Sequence, residues 1–192
     1  MAVFKSTHTA LTFAFNFDGT NVTTPKIGLP PPAGNGKGLG GLDGAAEAGN
    51  IKRIVHECGR YAENIAKARF MPKRLPCSCK RPCCMGWTPN FEWKSAVREI
   101  ADEIQAVCFD GRNAYDYQAR VVGRYFSKEM ERENFADLAD AVGFSERTVR
   151  RHFDQVSSFL HGNKTYKGSE QVVIERIDNA LRYAGVVGED DE

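Results

Sequence analysis

The stretch that decides the fold is Phe135-Ala136-Asp137-Leu138-Ala139-Asp140-Ala141-Val142-Gly143-Phe144-Ser145-Glu146-Arg147-Thr148-Val149-Arg150-Arg151-His152-Phe153. Leu138 and Val142 fall on one face of a first helix, and Ala139 is small where a second helix crosses closely. Gly143 supplies the positive φ that lets a chain leave a helix and turn sharply. Ser145 caps the next helix, Glu146 suits its positive end, and Val149 with Phe153 faces back to the first helix. Arg147, Thr148, Arg150 and Arg151 remain outward, and side chains of these types reach guanine edges and phosphates in a major groove. The spacing predicts a helix-turn-helix with those four residues as its DNA-binding set. His152, next to Arg151, is expected to touch phosphate or face solvent. A helical hairpin whose arginines only solvate it is the plainer reading of the same residues.

Outward from this segment the chain reads as helix after helix. Arg120 to Phe126 belongs to an upstream helix beginning near Tyr115, and the second arm runs on through Gln155-Val156-Ser157-Ser158-Phe159-Leu160. Glu170 to Ala184 has Val173, Ile174, Ile177, Ala180 and Leu181 at helical steps, and Glu92 to Val107 repeats the pattern through Trp93, Ala96, Val97, Ile100 and Ile104. Ala45 to Phe70 reads as one helix with Ile51, Ile54, Val55, Cys58, Tyr61, Ala62, Ile65 and Ala68 inward and a basic outer side. Asp18 to Gly44, rich in Gly, Pro, Asn and Thr, is a loop or linker. Before it, Leu11, Phe13, Phe15 and Phe17 alternate as in a half-buried strand, while a helix capped near Thr7 fits equally.

Cys77-Ser78-Cys79-Lys80-Arg81-Pro82-Cys83-Cys84 places four of the six cysteines together. Tetrahedral zinc takes about four thiolate or imidazole ligands, and Pro-induced turns can wrap neighbouring sulfurs around one ion. Cys77, Cys79, Cys83 and Cys84 are the expected zinc ligands. Adjacent cysteines do not both ligate easily, so Cys58 or His56 can stand in for Cys83 or Cys84. Lys73, Arg74, Lys80 and Arg81 offset thiolate charge. Reduced structural cysteines, or a redox switch at the vicinal Cys83-Cys84 pair, are the other readings. No His-Glu-x-x-His or His-x-Glu pattern supplies a hydrolytic partner, so a bound metal would be structural and no catalysis is expected. Cys108, beside Phe109, reads as core. Trp87 and Trp93 flank Pro89 and are expected to pack the cysteine loop on the next helix.

With 192 residues and a hydrophobic fraction of 42%, the chain can bury a core, and no apolar run reaches the length of a membrane span. Lys5, Thr7, His8 and Thr9 interrupt any export signal, so a reducing cytoplasm is expected. The total of 26 basic and 25 acidic residues hides a division: residues 51 to 87 hold nine basic side chains against Glu57 and Glu63, while the chain closes Glu189-Asp190-Asp191-Glu192. A basic middle suits a polyanionic partner. Gly36-Lys37-Gly38-Leu39-Gly40-Gly41 has the letters of a dinucleotide loop without the strand before it, and Lys37 lacks the following Ser or Thr of a phosphate-binding loop.

The helix-turn-helix resembles that of sigma factor region four and related response-regulator domains, through Tyr125-Phe126, Phe135-Ala136-Asp137-Leu138-Ala139 and Gly143-Phe144-Ser145-Glu146-Arg147-Thr148-Val149-Arg150. A cysteine cluster, a helical spacer and this motif together look like the phage late-gene antiterminator Q proteins, with Cys77-x-Cys79 and Cys83-Cys84 in the opposite order to that family's branch. The resemblance implies binding beside a late promoter, loading onto paused bacterial RNA polymerase with its sigma factor, and passage through terminators. A DNA-packaging small subunit and a thiol-based redox-sensing regulator are the alternatives. The expected fold class is mainly α: a helical DNA-binding domain with a C-terminal helix-turn-helix and a small Cys-rich zinc loop. The expected parts are 1–44, an N-terminal segment with a Gly/Pro-rich linker; 45–110, helical with the cysteine cluster; 111–188, the DNA-binding region; and 189–192, an acidic tail. Zinc as structural cofactor, double-stranded DNA as partner, no membrane association and the cytoplasm of a bacterial host complete the expectation.

Overall fold

A computed structural model describes residues 3–17, 41–77, 79, 85–109 and 115–188. The protein is mainly helical. The linker between residues 18 and 40, the acidic tail and most of the cysteine segment lie outside the described residues. Among the described residues no helix is long and apolar enough to cross a membrane.

The first ordered element is helix α1, Thr7–Asn16, and this resolves the early ambiguity against a strand. Ser6 caps it by accepting from the amide of Thr9, and the buried side chains are Thr7, Ala10, Leu11, Ala14 and Phe15, a helical stripe. Leu11 and Phe15 satisfy period two and period four alike, and the alanines decide between them. Phe13 and Phe17 are only partly buried; Phe13 stacks at 5.3 Å on Phe4 and at 5.4 Å on Phe17.

The helix expected over Ala45 to Phe70 is two helices, α2, Gly41–Glu57, and α3, Arg60–Phe70. The break falls at Cys58 and Gly59, where Gly59 adopts φ 103°, open to glycine and costly for other residues. The apolar stripe resumes across it with Ala62, Ile65, Ala66 and Ala68, which is why periodicity alone runs the two together.

After α3 comes a short antiparallel hairpin, β1, Arg74–Pro76, and β2, Trp87–Pro89, in the register Arg74 to Pro89, Leu75 to Thr88 and Pro76 to Trp87. Proline can hold such positions because both strands of an isolated pair are edge strands. Asn90 fixes its base: the amide donates to Lys73 and the side chain to Pro72, while Oδ1 accepts from Glu92 and Trp93 and so caps α4, Phe91–Cys108. Trp93 is buried and donates from its indole to the carbonyl of Ala68 at 2.9 Å, locking α4 on α3. Arg60 and Asn64 reach Glu99 from the other end of the same contact.

Helices α5, Tyr115–Phe126, α6, Phe135–Val142, and α7, Glu146–His161, follow, with a single 3₁₀ turn at Glu129–Glu131 between α5 and α6. Helix α8, Ser169–Tyr183, packs Val173, Ile177 and Leu181 inward. The chain then returns to its beginning: the amide of Phe4 donates to Val186, and that of Gly188 to Phe4, each at 3.0 Å. One contiguous buried cluster runs from Phe4 to Val187 and includes residues of each of α1 to α8.

Candidate nucleic-acid interface

The α6–turn–α7 unit is built by local caps. Asn134 accepts from the amide of Asp137 and donates to its carboxylate, both at 2.7 Å, closing the start of α6. At its end Gly143 takes φ 68°, and the amides of Gly143 and Phe144 both donate to the carbonyl of Ala139. Ser145 then accepts from the amide of Thr148 at 3.2 Å and starts α7. Leu138 and Ala139 are buried on α6; Val149, His152, Val156 and Leu160 are buried on α7. Phe144 anchors the turn by setting its ring edge-on to Tyr117 at 5.1 Å.

The four residues expected to meet DNA share the beginning of α7 but differ in freedom. Arg147 and Arg151 are exposed, and among the described residues Arg147 has no acidic partner. Thr148 is half-buried, its hydroxyl 2.9 Å from that of Ser145 at the cap. Arg150 is exposed yet folded back: it pairs with Glu146 at 2.5 Å, and its guanidinium lies 4.5 Å from the ring centre of Phe135. With Glu146 and Asp154, these side chains border an open concavity of about 710 Å³.

His152 departs from expectation. It neither touches the surface nor flanks the arginines there; it is fully buried, with Nδ1 2.7 Å from the hydroxyl of Tyr117. One step past Arg151 on a helix turns a side chain by about 100°, and position 152 falls on the stripe of Val149 and Val156.

A second layer of charge stands behind α7. Arg120 pairs with Glu133, and this contact raises the Arg120 pKa. Arg124 donates to the carbonyl of Glu133 and lies 3.9 Å from the Phe135 ring centre and 5.4 Å from that of Phe153. Burial first, and then the positive charges of Arg132 and Arg150, push the Arg124 pKa below the usual arginine value. The sequence shows Arg124 in the upstream helix, but only the packing of α5 against α6 brings it beside Arg150.

Of the expected zinc ligands, Cys77 is half-buried and Cys79 exposed, whereas Cys83 and Cys84 lie outside the described residues. The amide of Cys77 donates to the carbonyl of Gly86 at 3.0 Å, extending the hairpin so that the cysteine segment leaves and returns at one place. Trp87 at its base is half-buried with the Arg74 guanidinium 4.1 Å from its ring centre. His56 is hydrogen-bonded to Glu63, and Cys58 stands beside Arg176 of α8, with α3 between both residues and the hairpin. Among the described residues no cluster of metal-ligating side chains is assembled. No protein-family model, curated protein or solved structure matches the chain.

Proposed function

We propose that the chain is a sequence-specific, double-stranded DNA-binding regulator that uses the first turns of α7 for recognition. The observation that carries this reading is the division of α7 into two chemistries. Val149, His152, Val156 and Leu160 are committed to the core, while Arg147, Arg150 and Arg151 stand on the outer side around an open concavity. A helix held by its caps and its buried face presents its cations from a backbone already fixed, so the ordering cost on binding falls on the side chains alone. Recovery of a common motif from random duplexes by the purified chain tests the reading, and a failure to enrich any motif contradicts it.

The same reading includes an antitermination role of the phage Q kind, in the cytoplasm of a bacterial host, with RNA polymerase and sigma factor as partners. It is supported by the resemblance of Phe135 to Arg150 and of the cysteine segment. Run-off transcription across a terminator tests it: read-through that depends on the chain and on its DNA site is the expected result, and unchanged termination is the contrary one.

We read the hairpin-closed cysteine segment as a structural zinc staple, with Cys77, Cys79, Cys83 and Cys84 as ligands. The support is the hydrogen bond from the Cys77 amide to the Gly86 carbonyl, which continues the β1–β2 pairing and brings those two residues together at the base of the cysteine segment. Zinc would supply there the cross-link that so short a hairpin cannot make from its own contacts. Elemental analysis should return one zinc per chain; a metal-free chain with a reversible Cys83–Cys84 disulfide would favour redox sensing instead.

A further inference from the structure

Beside the outer face of α7 lies a second basic site that the helix-turn-helix pattern does not predict. Phe135, the first residue of α6, has two guanidiniums on its ring, that of Arg124 at 3.9 Å and that of Arg150 at 4.5 Å from its centre. Phe153 braces the ring from within at 5.4 Å. Exposed Arg132 borders the same hollow, about 360 Å³ in volume, as do Asn134, Glu129 and Glu146.

Two cations on one apolar ring, with a third bordering the same hollow, repel each other. Nearby carboxylates offset this only in part. Among the described residues Glu146 is engaged by Arg150 alone, and Glu133 turns its carboxylate to Arg120 and offers Arg124 a backbone carbonyl. An arriving anion relieves the repulsion. The Arg124 and Arg150 guanidiniums, already held against the ring, lose less freedom when they bind it, and planar guanidinium forks match the paired oxygens of a phosphate. Arg150 and Glu146 border both this hollow and the concavity of Arg147 and Arg151, so the two surfaces are continuous. A helix in a major groove about 12 Å wide has a phosphate strand on either side within side-chain reach.

We infer that Arg124, Arg132 and Arg150 clasp a phosphodiester of the bound duplex. This makes Arg150 a backbone contact and leaves Arg147, Thr148 and Arg151 to face the bases; it rests on the DNA-binding reading of α7.

The test uses the full chain and two labelled duplexes, one recovered by the wild-type protein from random DNA and one of unrelated sequence. Arg132→Gln and Arg150→Gln should each weaken both duplexes about tenfold. Each should lower the slope of log affinity against log salt by about 0.9 and leave the recovered motif unchanged. Arg147→Ala should alter the motif. A neutral methylphosphonate walked along the recovered duplex should, at one position, cost the wild-type protein as much as Arg132→Gln does and cost that variant nothing more. Arg132 is exposed, so its variant should keep the wild-type circular dichroism. Wild-type salt slopes in both glutamine variants, or a motif changed by Arg150→Gln, would overturn the clasp; if Arg147→Ala still alters the motif, recognition by α7 survives. Loss of RNA polymerase binding by Arg132→Gln with DNA binding intact would also overturn it, in favour of an acidic protein partner. A wild-type chain that binds neither duplex removes the clasp and the reading beneath it together.

Discussion

The hydroxyl of Tyr117 lies 2.7 Å from Nδ1 of His152, inside the contact between α5 and α7. Both side chains are buried, and Phe109 sets its ring edge-on to each. The position of α7, and with it the presentation of Arg147 and Arg151, therefore depends on a polar contact in the core. Tyr117→Phe keeps the ring and removes the hydroxyl. It should cost about 1 kcal/mol of stability, read as a lower urea midpoint with an unchanged slope.

Gly143 ends α6 at φ 68°, and beyond its own chain neighbours nothing among the described residues stands within 4 Å of where a β-carbon would lie. The cost of a side chain there is conformational and not steric. Gly143→Ala should destabilise by about 1–2 kcal/mol, and Gly143→Asn by less because asparagine tolerates the left-handed region. Thermal unfolding of the two variants checks the order; equal melting temperatures for both variants and the wild type would contradict it.

The legibility of this turn in the sequence has a physical cause. Caps and turn glycines act over three or four residues, so Gly143 and Ser145 carry their meaning locally. The break at Gly59 is hidden by a stripe that continues in phase from Val55 to Ala62, and the start of the chain by Leu11 and Phe15, which satisfy two periods at once. The burial of His152 and the ring contact of Arg150 are hidden in the sequence for another reason. The partner that buries His152 is Tyr117 on α5, and the ring that turns Arg150 aside is Phe135 on α6, and neither contact can be read from α7 by itself. The two-strand hairpin escapes the sequence because strands of three residues are too short to show a period.

Glu170 ties three helices together. It accepts from Arg69 of α3 through two nitrogens, at 2.5 and 2.7 Å, and from the hydroxyl of Tyr125 on α5 at 2.7 Å. The carboxylate is buried and the arginine partly so. Glu170→Ala leaves both donors without this acceptor and should cost about 3 kcal/mol. Arg69→Ala in the same background should add much less than it does alone, a coupling that denaturation of the four-member mutant cycle measures.

Burial pushes the Cys108 thiol up to about 11. At pH 8 it therefore stays protonated as well as shielded, and iodoacetamide should leave it unmodified in the native protein while labelling it in urea. Peptide mass spectrometry separates the two outcomes.

Hydrogen bonds from Arg60 and Asn64 hold the Glu99 carboxyl at about 2, below its ordinary range. A carboxylate whose folded pKa is depressed stabilises the fold above its unfolded pKa, near 4.3, and loses that contribution as the pH falls toward 2. Glu99→Gln should be less stable than wild type at pH 7, and the difference should shrink on acidification through that window. Solvent screening of the exposed Arg60 keeps the effect small. Urea midpoints at pH 7, 4 and 2.5 follow it.

The central claim is that the start of α7 reads duplex DNA. Its most direct measurement is motif recovery from random duplexes by the wild-type chain and by Arg147→Ala, each repeated across a salt series. The wild type should yield one enriched motif and an affinity that falls steeply with salt, and the variant a discrimination lowered by about 1–3 kcal/mol at one base pair. Identical motifs from both proteins would remove Arg147 from recognition, and no enrichment with an affinity indifferent to salt would contradict the claim itself.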